Sequence, residues 1–152
     1  MLELLAASGI DRGTAYLTNA VKHFRFEVRG KRRMHQRPGR EHIVSCGWWL
    51  QQELSLVHPA VIVALGATAA EALLGHAVRM AVVRGRPLRY GGSVLIITYH
   101  PAYVLRLRDR SRQANARALL QEDLRFAREF LKRGPPRNDR PRGNGPDMQV
   151  GV

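Results

Sequence analysis

Two continuous apolar runs stand out along the chain, AVIVALG (60–66) and SVLIITYH (93–100). Runs of this length are typical of strands that are covered on both faces in a parallel sheet. A shorter β-prone stretch, AYLTN (15–19), predicts another strand, and residues 88–90 indicate a short one. The hydrophobic pattern therefore predicts a sheet with a buried centre.

Amphipathic segments alternate with these strands. Apolar residues recur at helical spacing in residues 1–9, 40–57, 67–75 and 111–133. Glycine closes the first and third of these segments, a His-Pro pair ends the second, and the stretch 100–110 is predicted to be a loop. Because strands alternate with helices, we predict an α/β fold, a three-layer sandwich with a central, mainly parallel sheet and helices on both faces.

Polar residues follow the predicted strands. Asn19 and a basic loop come after the first strand, Gly66 closes AVIVALG, and His100 ends SVLIITYH. Sites in such sheets collect outside the carboxyl ends of the strands. The three segments are therefore expected at one edge of the sheet.

Length and composition predict one domain followed by a tail. The chain has 152 residues, and residues 134–152 are largely Pro, Gly, Arg and Asn with almost nothing to bury. We predict a globular domain over 1–133 and a disordered basic tail over 134–152. The single cysteine, Cys46, excludes an intramolecular disulfide and favours the cytosol. No apolar run approaches the roughly 20 residues of a membrane span, and an acid at position 3 argues against a signal peptide, so a cytoplasmic protein is expected.

Positive charge points to a polyanionic partner. The chain has 25 Lys and Arg against 12 Asp and Glu, a formal net charge of +13. Such a field attracts nucleic acid and speeds its encounter. The cations cluster in residues 22–40, which favours a surface that follows phosphates. The alternative is a solvated face with a basic tail.

Two side chains suit nucleobase recognition. The amide of Asn19 offers a donor and an acceptor to a base edge, although an asparagine also closes turns. The imidazole of His100 can donate to negative charge developing on a pyrimidine oxygen, and the alternative is a structural histidine. Behind it, residues 103–106 (YVLR) form an apolar wedge that either enters a base stack or docks on its own helix layer.

Several other chemistries lack support. The glycine-rich pieces LGATAA and RGRPLRYGG match neither G-x-G-x-x-G nor a P-loop. The sequence has no HExxH motif, serine elbow or clustered carboxylates, which argues against metal-dependent or serine-dependent hydrolysis. His35 lies in the basic stretch GKRRMHQRPGR (30–40), which is a solvated loop, a phosphate-binding loop or the carrier of a reacting imidazole.

Four motifs occur in an order that resembles a known family: TNAVKHF (18–24), KRRMH (31–35), PAVIVALGATAAEALLG (59–75) and YHPAYVLR (99–106). Together they resemble the uracil-DNA glycosylase superfamily in its family 4 branch, and most of all the UdgX subgroup, which is marked by an inserted KRRIH-type loop. The resemblance covers about residues 1–133. It implies a glycosylase-like fold, cleavage of the N-glycosidic bond of uracil, and uracil-containing, single-stranded DNA as the partner.

The resemblance also assigns roles to individual residues. Asn19 matches the asparagine that reads uracil, and His100 matches the histidine that stabilises the uracil anion as it leaves. His35 matches the loop histidine that bonds covalently to the deoxyribose C1′ in the UdgX subgroup, with Arg32 and Arg33 beside it. These matches make His35 and His100 the catalytic candidates and the other three the substrate-binding candidates.

Contacts to DNA are expected at Lys31, Leu105 and Arg106. Uracil leaves as an anion from an oxocarbenium-like sugar, so the site must stabilise that anion and supply a nucleophile to C1′. A neutral imidazole is such a nucleophile, and neighbouring guanidinium groups favour the neutral form of His35. Attack by water would give a turnover enzyme, whereas attack by His35 gives a covalent adduct.

Family 4 members carry a four-iron, four-sulfur cluster held by cysteines. His23 stands where one of these cysteines lies, as in the UdgX subgroup, and Cys46 matches another. The other two cysteines and a phosphate-contacting GExPG motif precede the matched part of the family, so the resemblance implies an N-terminally truncated domain. Other readings stay open: a DNA-binding remnant without catalysis, a poorly stable fragment, and a purely structural Cys46.

Overall fold

The structure, a computed structural model of the chain, describes residues 2–23, 26–30, 32–36 and 38–133. In residues 26–29 and 32–35 it describes the backbone. The tail predicted at 134–152 lies outside these ranges, as does Lys31. Within them, no helix is both long and apolar enough to cross a membrane.

Six α-helices and five strands make up the described part of the chain. The helices are α1 (Leu2–Ala7), α2 (Arg40–Val57), α3 (Ala67–Leu74), α4 (Met80–Val83), α5 (Pro101–Arg106) and α6 (Arg110–Arg133), with a 3₁₀ turn at Arg12–Thr14. The strands are β1 (Phe26–Arg29), β2 (Arg32–His35), β3 (Val61–Leu65), β4 (Pro87–Tyr90) and β5 (Ser93–Thr98). The strand order of the main sheet is β3-β5-β4, and β1 with β2 forms a separate hairpin.

The main sheet is mixed. Strands β3 and β5 run parallel, from Val61 opposite Val94 to Leu65 opposite Thr98, whereas β4 runs antiparallel to β5. The carboxyl ends of β3 and β5 therefore meet at one edge of the sheet, as expected for a site in this class of fold.

Helices cover both faces of the sheet. Leu95 and Ile97 pack with Ala70 of α3 on one face, and Val94 and Ile96 face the other, where α6 packs. Successive side chains of a strand point to opposite faces, so the apolar run of β5 is buried on both sides. The predicted three-layer α/β fold is confirmed.

Two segments differ from their predicted structure. Residues 15–19 form no strand, and Tyr16 and Leu17 are exposed. Within the described part of the chain, this segment attaches to α2 through side chains instead of a sheet. The basic stretch predicted as a loop contains β2, which pairs with β1 across a turn at Gly30, where φ is 61°. A left-handed residue suits such a tight turn, and glycine adopts it without steric cost.

The stretch predicted as a loop after His100 contains the helix α5. Pro101 occupies its first turn, where a missing N–H costs nothing and the fixed φ fits, and His100 caps it. The short strand predicted at 88–90 is confirmed as β4, and α4 is a helix that the hydrophobic pattern did not predict.

Candidate active site

His100 lies between β5, the central strand of the main sheet, and α5. Its backbone is extended, and its carbonyl oxygen accepts the Tyr103 N–H at 2.9 Å. The strand on one side and the helix on the other fix its Cα. The imidazole is thus anchored at the carboxyl edge of the sheet, where the sequence predicts a site.

The imidazole of His100 is held as a neutral donor. Its Nδ1 accepts the Ala102 N–H at 3.1 Å, so the proton of the neutral ring lies on Nε2. Partial burial lowers the pKa of His100 below its ordinary value of 6.5, and the charge of Arg106 lowers it further. A neutral imidazole at a strand end can donate its Nε2–H to negative charge that develops on a ligand.

Gly66 leaves room for His100. It follows β3 with φ at 88°, and its N–H donates to the Thr98 carbonyl at 2.8 Å. A Cβ at this position would lie 3.0 Å from the Cβ of His100. Both the backbone conformation and the close approach require glycine, so the predicted neighbours Gly66 and His100 are brought together.

A buried ion pair holds the strand end beneath His100. Arg84 contacts both carboxylate oxygens of Asp123 at 2.8 Å, and Thr98 donates to Asp123 at 2.5 Å. The Arg84 guanidinium also lies 5.7 Å from the ring centre of Tyr99. Thr98 is therefore tied to α6, and Tyr99 lies against Arg84, the residue that follows α4.

Helix α5 divides the predicted wedge between core and surface. Val104 is 5% exposed and packs against α6, whereas Leu105 is 77% exposed. The ring of Tyr103 lies 5.2 Å from that of Tyr99. Leu105 is thus the most exposed apolar side chain of α5, and Arg106 is the next residue in the chain.

Asn19 lies on an irregular segment that rests on α2. Thr18 donates to Glu53 at 2.9 Å, and Lys22 donates to Glu53 at 2.6 Å and to Thr18 at 2.7 Å. The hydrogen bond from Lys22 is the main cause of the lowered pKa of Glu53, with further contributions from Thr18 and Tyr16. Asn19 itself is exposed between the two anchored residues.

The two predicted metal ligands are in contact. The Nδ1 of His23 lies 3.3 Å from the Sγ of Cys46, which is fully buried, and the same sulfur accepts the Lys22 N–H at 3.3 Å. A cubic iron–sulfur cluster needs four ligands. The chain has one cysteine, and its described residues contain no group of three or more His, Cys, Asp or Glu able to hold a metal. These residues fit half of a cluster site and not a whole one.

The hairpin carries the basic motif. His35 ends β2 opposite Phe26, and Arg33 lies opposite Val28. Arg32 begins the strand opposite Arg29, and Lys31 lies outside the described residues.

Sequence patterns did not point to Asp123, Arg84 or Glu53. Each lies on a helix or loop where the sequence pattern shows only a polar residue, and their partners are 25 to 39 positions away. One signal was available: Asp123 interrupts the inward stripe of α6 and is 3% exposed. An acid at a buried helical position predicts a cationic or hydroxyl partner.

Comparisons with known proteins find relatives of this chain. The family model for the Uracil DNA glycosylase superfamily matches residues 1–125. The chain is 36% identical over 135 residues to the type-4 uracil-DNA glycosylase of Thermotoga maritima, an alignment that covers 88% of this chain and 65% of that protein.

Archaeal relatives give the same result. The type-4 uracil-DNA glycosylases of Pyrobaculum aerophilum and Archaeoglobus fulgidus are 33% and 31% identical, over 70% and 69% of this chain and 55% and 53% of their own lengths. The chain thus spans less than two thirds of each of these three relatives. Since the family match extends over most of its residues, the chain belongs to the uracil-DNA glycosylase superfamily.

Proposed function

We propose that this chain acts on uracil in DNA and breaks the N-glycosidic bond between uracil and deoxyribose. The observation that carries the proposal is the imidazole of His100 at the carboxyl edge of β5, whose Nδ1 accepts the Ala102 N–H so that the neutral ring carries its proton on Nε2. Similarity to type-4 uracil-DNA glycosylases supports the choice of substrate.

The bond cleavage needs stabilisation of a departing anion. As the bond between C1′ and N1 breaks, its electron pair leaves with uracil, and negative charge spreads to the O2 oxygen. Nε2–H of His100 can donate to that oxygen, and a preorganised donor of this kind contributes about 10²- to 10³-fold to the rate. The electron-poor C1′ then takes a nucleophile.

We assign the contacts with DNA to the basic residues of 22–40 and to α5. The net charge of +13 favours contact with phosphates. We assign to Leu105, which is exposed, the filling of the gap that a flipped nucleotide leaves in the stack. Arg106, next to Leu105, supplies a cation for a flanking phosphate. Asn19 is the candidate for reading the edge of the extruded uracil.

The nucleophile that we assign is His35. The motif KRRMH and its place at the end of β2 support this choice, with Arg32 and Arg33 as the neighbouring cations. A lone pair of the imidazole forms a bond to C1′, and the resulting imidazolium loses its other ring proton to solvent. The product is a stable DNA–protein adduct, together with free uracil.

His23 and Cys46 are the residues that would contribute to an iron–sulfur cluster in this family. Such a cluster would serve as a structural tie between segments. Because the described residues supply two ligands and not four, no step of the reaction is assigned to it.

A denaturing gel tests the proposal. The chain is mixed with single-stranded DNA that contains one uracil, or thymine at the same position, and free base and heat-stable DNA–protein bands are measured. We expect uracil release and a band with uracil alone. His35→Ser should remove the band, and His100→Ala should slow uracil release about 10²- to 10³-fold.

A second function has a specific observation in its favour. The charge of +13 suits a DNA-binding module without catalysis. In that case DNA binding should be indifferent to uracil and weaken steeply with salt, and no base should be released. Release of uracil by the wild-type chain excludes this alternative.

A further inference from the structure

The segment that carries Asn19 is held to α2 by hydrogen bonds to side chains of that helix. Residues 15–19 have no helix or strand structure, and their peptide groups belong to no sheet ladder in the described part of the chain. Ordering an irregular segment costs conformational entropy, and specific contacts must offset that cost. What holds this segment therefore decides where the amide of Asn19 points.

Two residues of helix α2 make these contacts. Cys46 accepts the Lys22 N–H, and Glu53 accepts from the Lys22 ammonium and the Thr18 hydroxyl. Positions 46 and 53 are seven apart, two helical turns, so they lie on one face of α2. The segment thus follows a single face of a helix that is itself anchored by buried residues.

Glu53 grips the segment on both sides of Asn19. Thr18 precedes Asn19 by one residue and Lys22 follows it by three, and both end on the same oxygen, Oε2 of Glu53. The Lys22 ammonium also donates to the Thr18 hydroxyl at 2.7 Å, which closes a ring of three hydrogen bonds. Such a ring fixes the two flanks relative to each other as well as to the helix.

The ring is shielded enough to persist at a surface. The side chains of Lys22 and Glu53 are 25% and 26% exposed, about half the exposure of a surface pair such as Lys132 and Glu129 at 55% and 48%. Its distances are 2.6 to 2.9 Å, against 3.8 Å for that surface pair. Short, charge-assisted hydrogen bonds are the stronger class.

From these contacts we infer that Glu53 is a positioning residue for uracil recognition, which acts by holding Thr18 and Lys22 so that Asn19 presents its amide to the base. The inference rests on the proposed function. Glu53 touches no substrate in this role. Its effect falls on the discrimination between uracil and other bases and on the tightness of binding, because the base edge is read in the bound state.

Three variants test this role: Glu53→Ala, Glu53→Gln and, as a matched control, Glu129→Ala. The control removes the same charge and also breaks a lysine pair, but on α6. The probes are single-stranded oligonucleotides with one 2′-fluoro-deoxyuridine, whose glycosidic bond resists cleavage, or one 2′-fluoro-thymidine. Binding gives the preference for uracil, and amide hydrogen exchange over residues 15–23 gives the order of the segment.

We expect Glu53→Ala to reduce the preference for uracil about tenfold, the loss of roughly one charge-assisted hydrogen bond, and to speed exchange in the segment. Glu53→Gln keeps an oxygen that accepts from Thr18, so it should retain part of the preference. Glu129→Ala should change neither quantity. On cleavable uracil DNA, Glu53→Ala should raise the DNA concentration for half-maximal rate more than it lowers the maximal single-turnover rate.

Two results would overturn the inference while leaving the proposed function intact. One is an undiminished preference for uracil in Glu53→Ala, and the other is a lost preference with unchanged exchange in residues 15–23. A wild-type chain that binds the uracil and thymine probes equally would instead refute the proposed function and, with it, the role of Glu53. The wild-type and variant measurements thus separate the two failures.

Discussion

Two parts of the candidate site are built by different physical means. His100 stands on the central strand of a buried sheet, above an ion pair whose carboxylate, Asp123, is 5% exposed. Asn19 stands on an irregular segment that the carboxylate of Glu53, 26% exposed, ties to a helix. The proposed donor to the leaving group, His100, is therefore fixed by the core, and the proposed reader of the base, Asn19, is fixed by surface contacts.

The difference suits the two tasks. Stabilising a developing charge depends on a donor that does not reorient during the reaction, and a strand end buttressed by the core provides one. Reading a base that enters from a DNA strand requires a group that an arriving ligand can reach, and an exposed segment provides that. The comparison also predicts where substitutions damage stability and where they damage recognition.

The largest effect is expected from Asp123→Ala. This change leaves Arg84 without its carboxylate and Thr98 without its acceptor, so the free energy of unfolding should fall by about 3–5 kcal/mol. Glu53→Ala removes a more exposed pair and should cost about 0–1 kcal/mol. Urea unfolding followed by circular dichroism measures both. Equal losses from the two variants would show that the sheet edge and the Asn19 segment are not held differently.

A smaller effect is expected from Gly66→Ala. The substitution places a Cβ in a residue with φ at 88° and 3.0 Å from His100, so it should cost about 1–3 kcal/mol and displace the imidazole. Gly47→Ala is the matched control: that glycine is in α2 with nothing within 4 Å of the added Cβ, and alanine there should stabilise the helix by about 0.5–1 kcal/mol. Thermal unfolding and the rate of uracil release check both variants. A Gly66→Ala protein with wild-type stability and rate would disprove the close packing at His100.

The smallest effect is expected from pH. The lowered pKa of His100 means that its neutral donor form persists as pH falls from 8 through 6.5, the ordinary value, and is lost only as pH passes through the lowered pKa. The rate of uracil release should therefore be flat above pH 6.5 and decline below it. The free energy of unfolding should also fall as pH drops below 6.5, because His100 takes up a proton less readily in the folded chain than in the unfolded chain.

Single-turnover rates between pH 5 and 8 measure the pH effect. His100→Gln carries a donor that does not titrate in this range, so its residual rate should lack the acidic decline. A wild-type rate that already falls between pH 8 and 6.5 would contradict a neutral His100 held by burial and Arg106.

Much of the fold was predictable because its signals are local. The apolar runs of β3 and β5 and the glycine after α3 follow from residues that are neighbours in sequence. The strand predicted at 15–19 was wrong, since an apolar stretch becomes a strand only where a partner strand is available to it. The loop predicted after His100 was wrong for the opposite reason, because Pro101 begins a short helix whose packing through Val104 the local pattern does not show.

The sequence by itself determined the elements β3, α3, β5 and α6, the place of His100 directly after a buried strand and the basic character of residues 30–40, since periodicity and charge are properties of neighbouring residues. Only the tertiary structure decided that Gly66 lies against His100, that Asp123 pairs with Arg84 across 39 positions, and that Glu53 grips both flanks of Asn19. The physical reason is that these contacts join distant segments, and their geometry depends on how the layers of the sandwich pack.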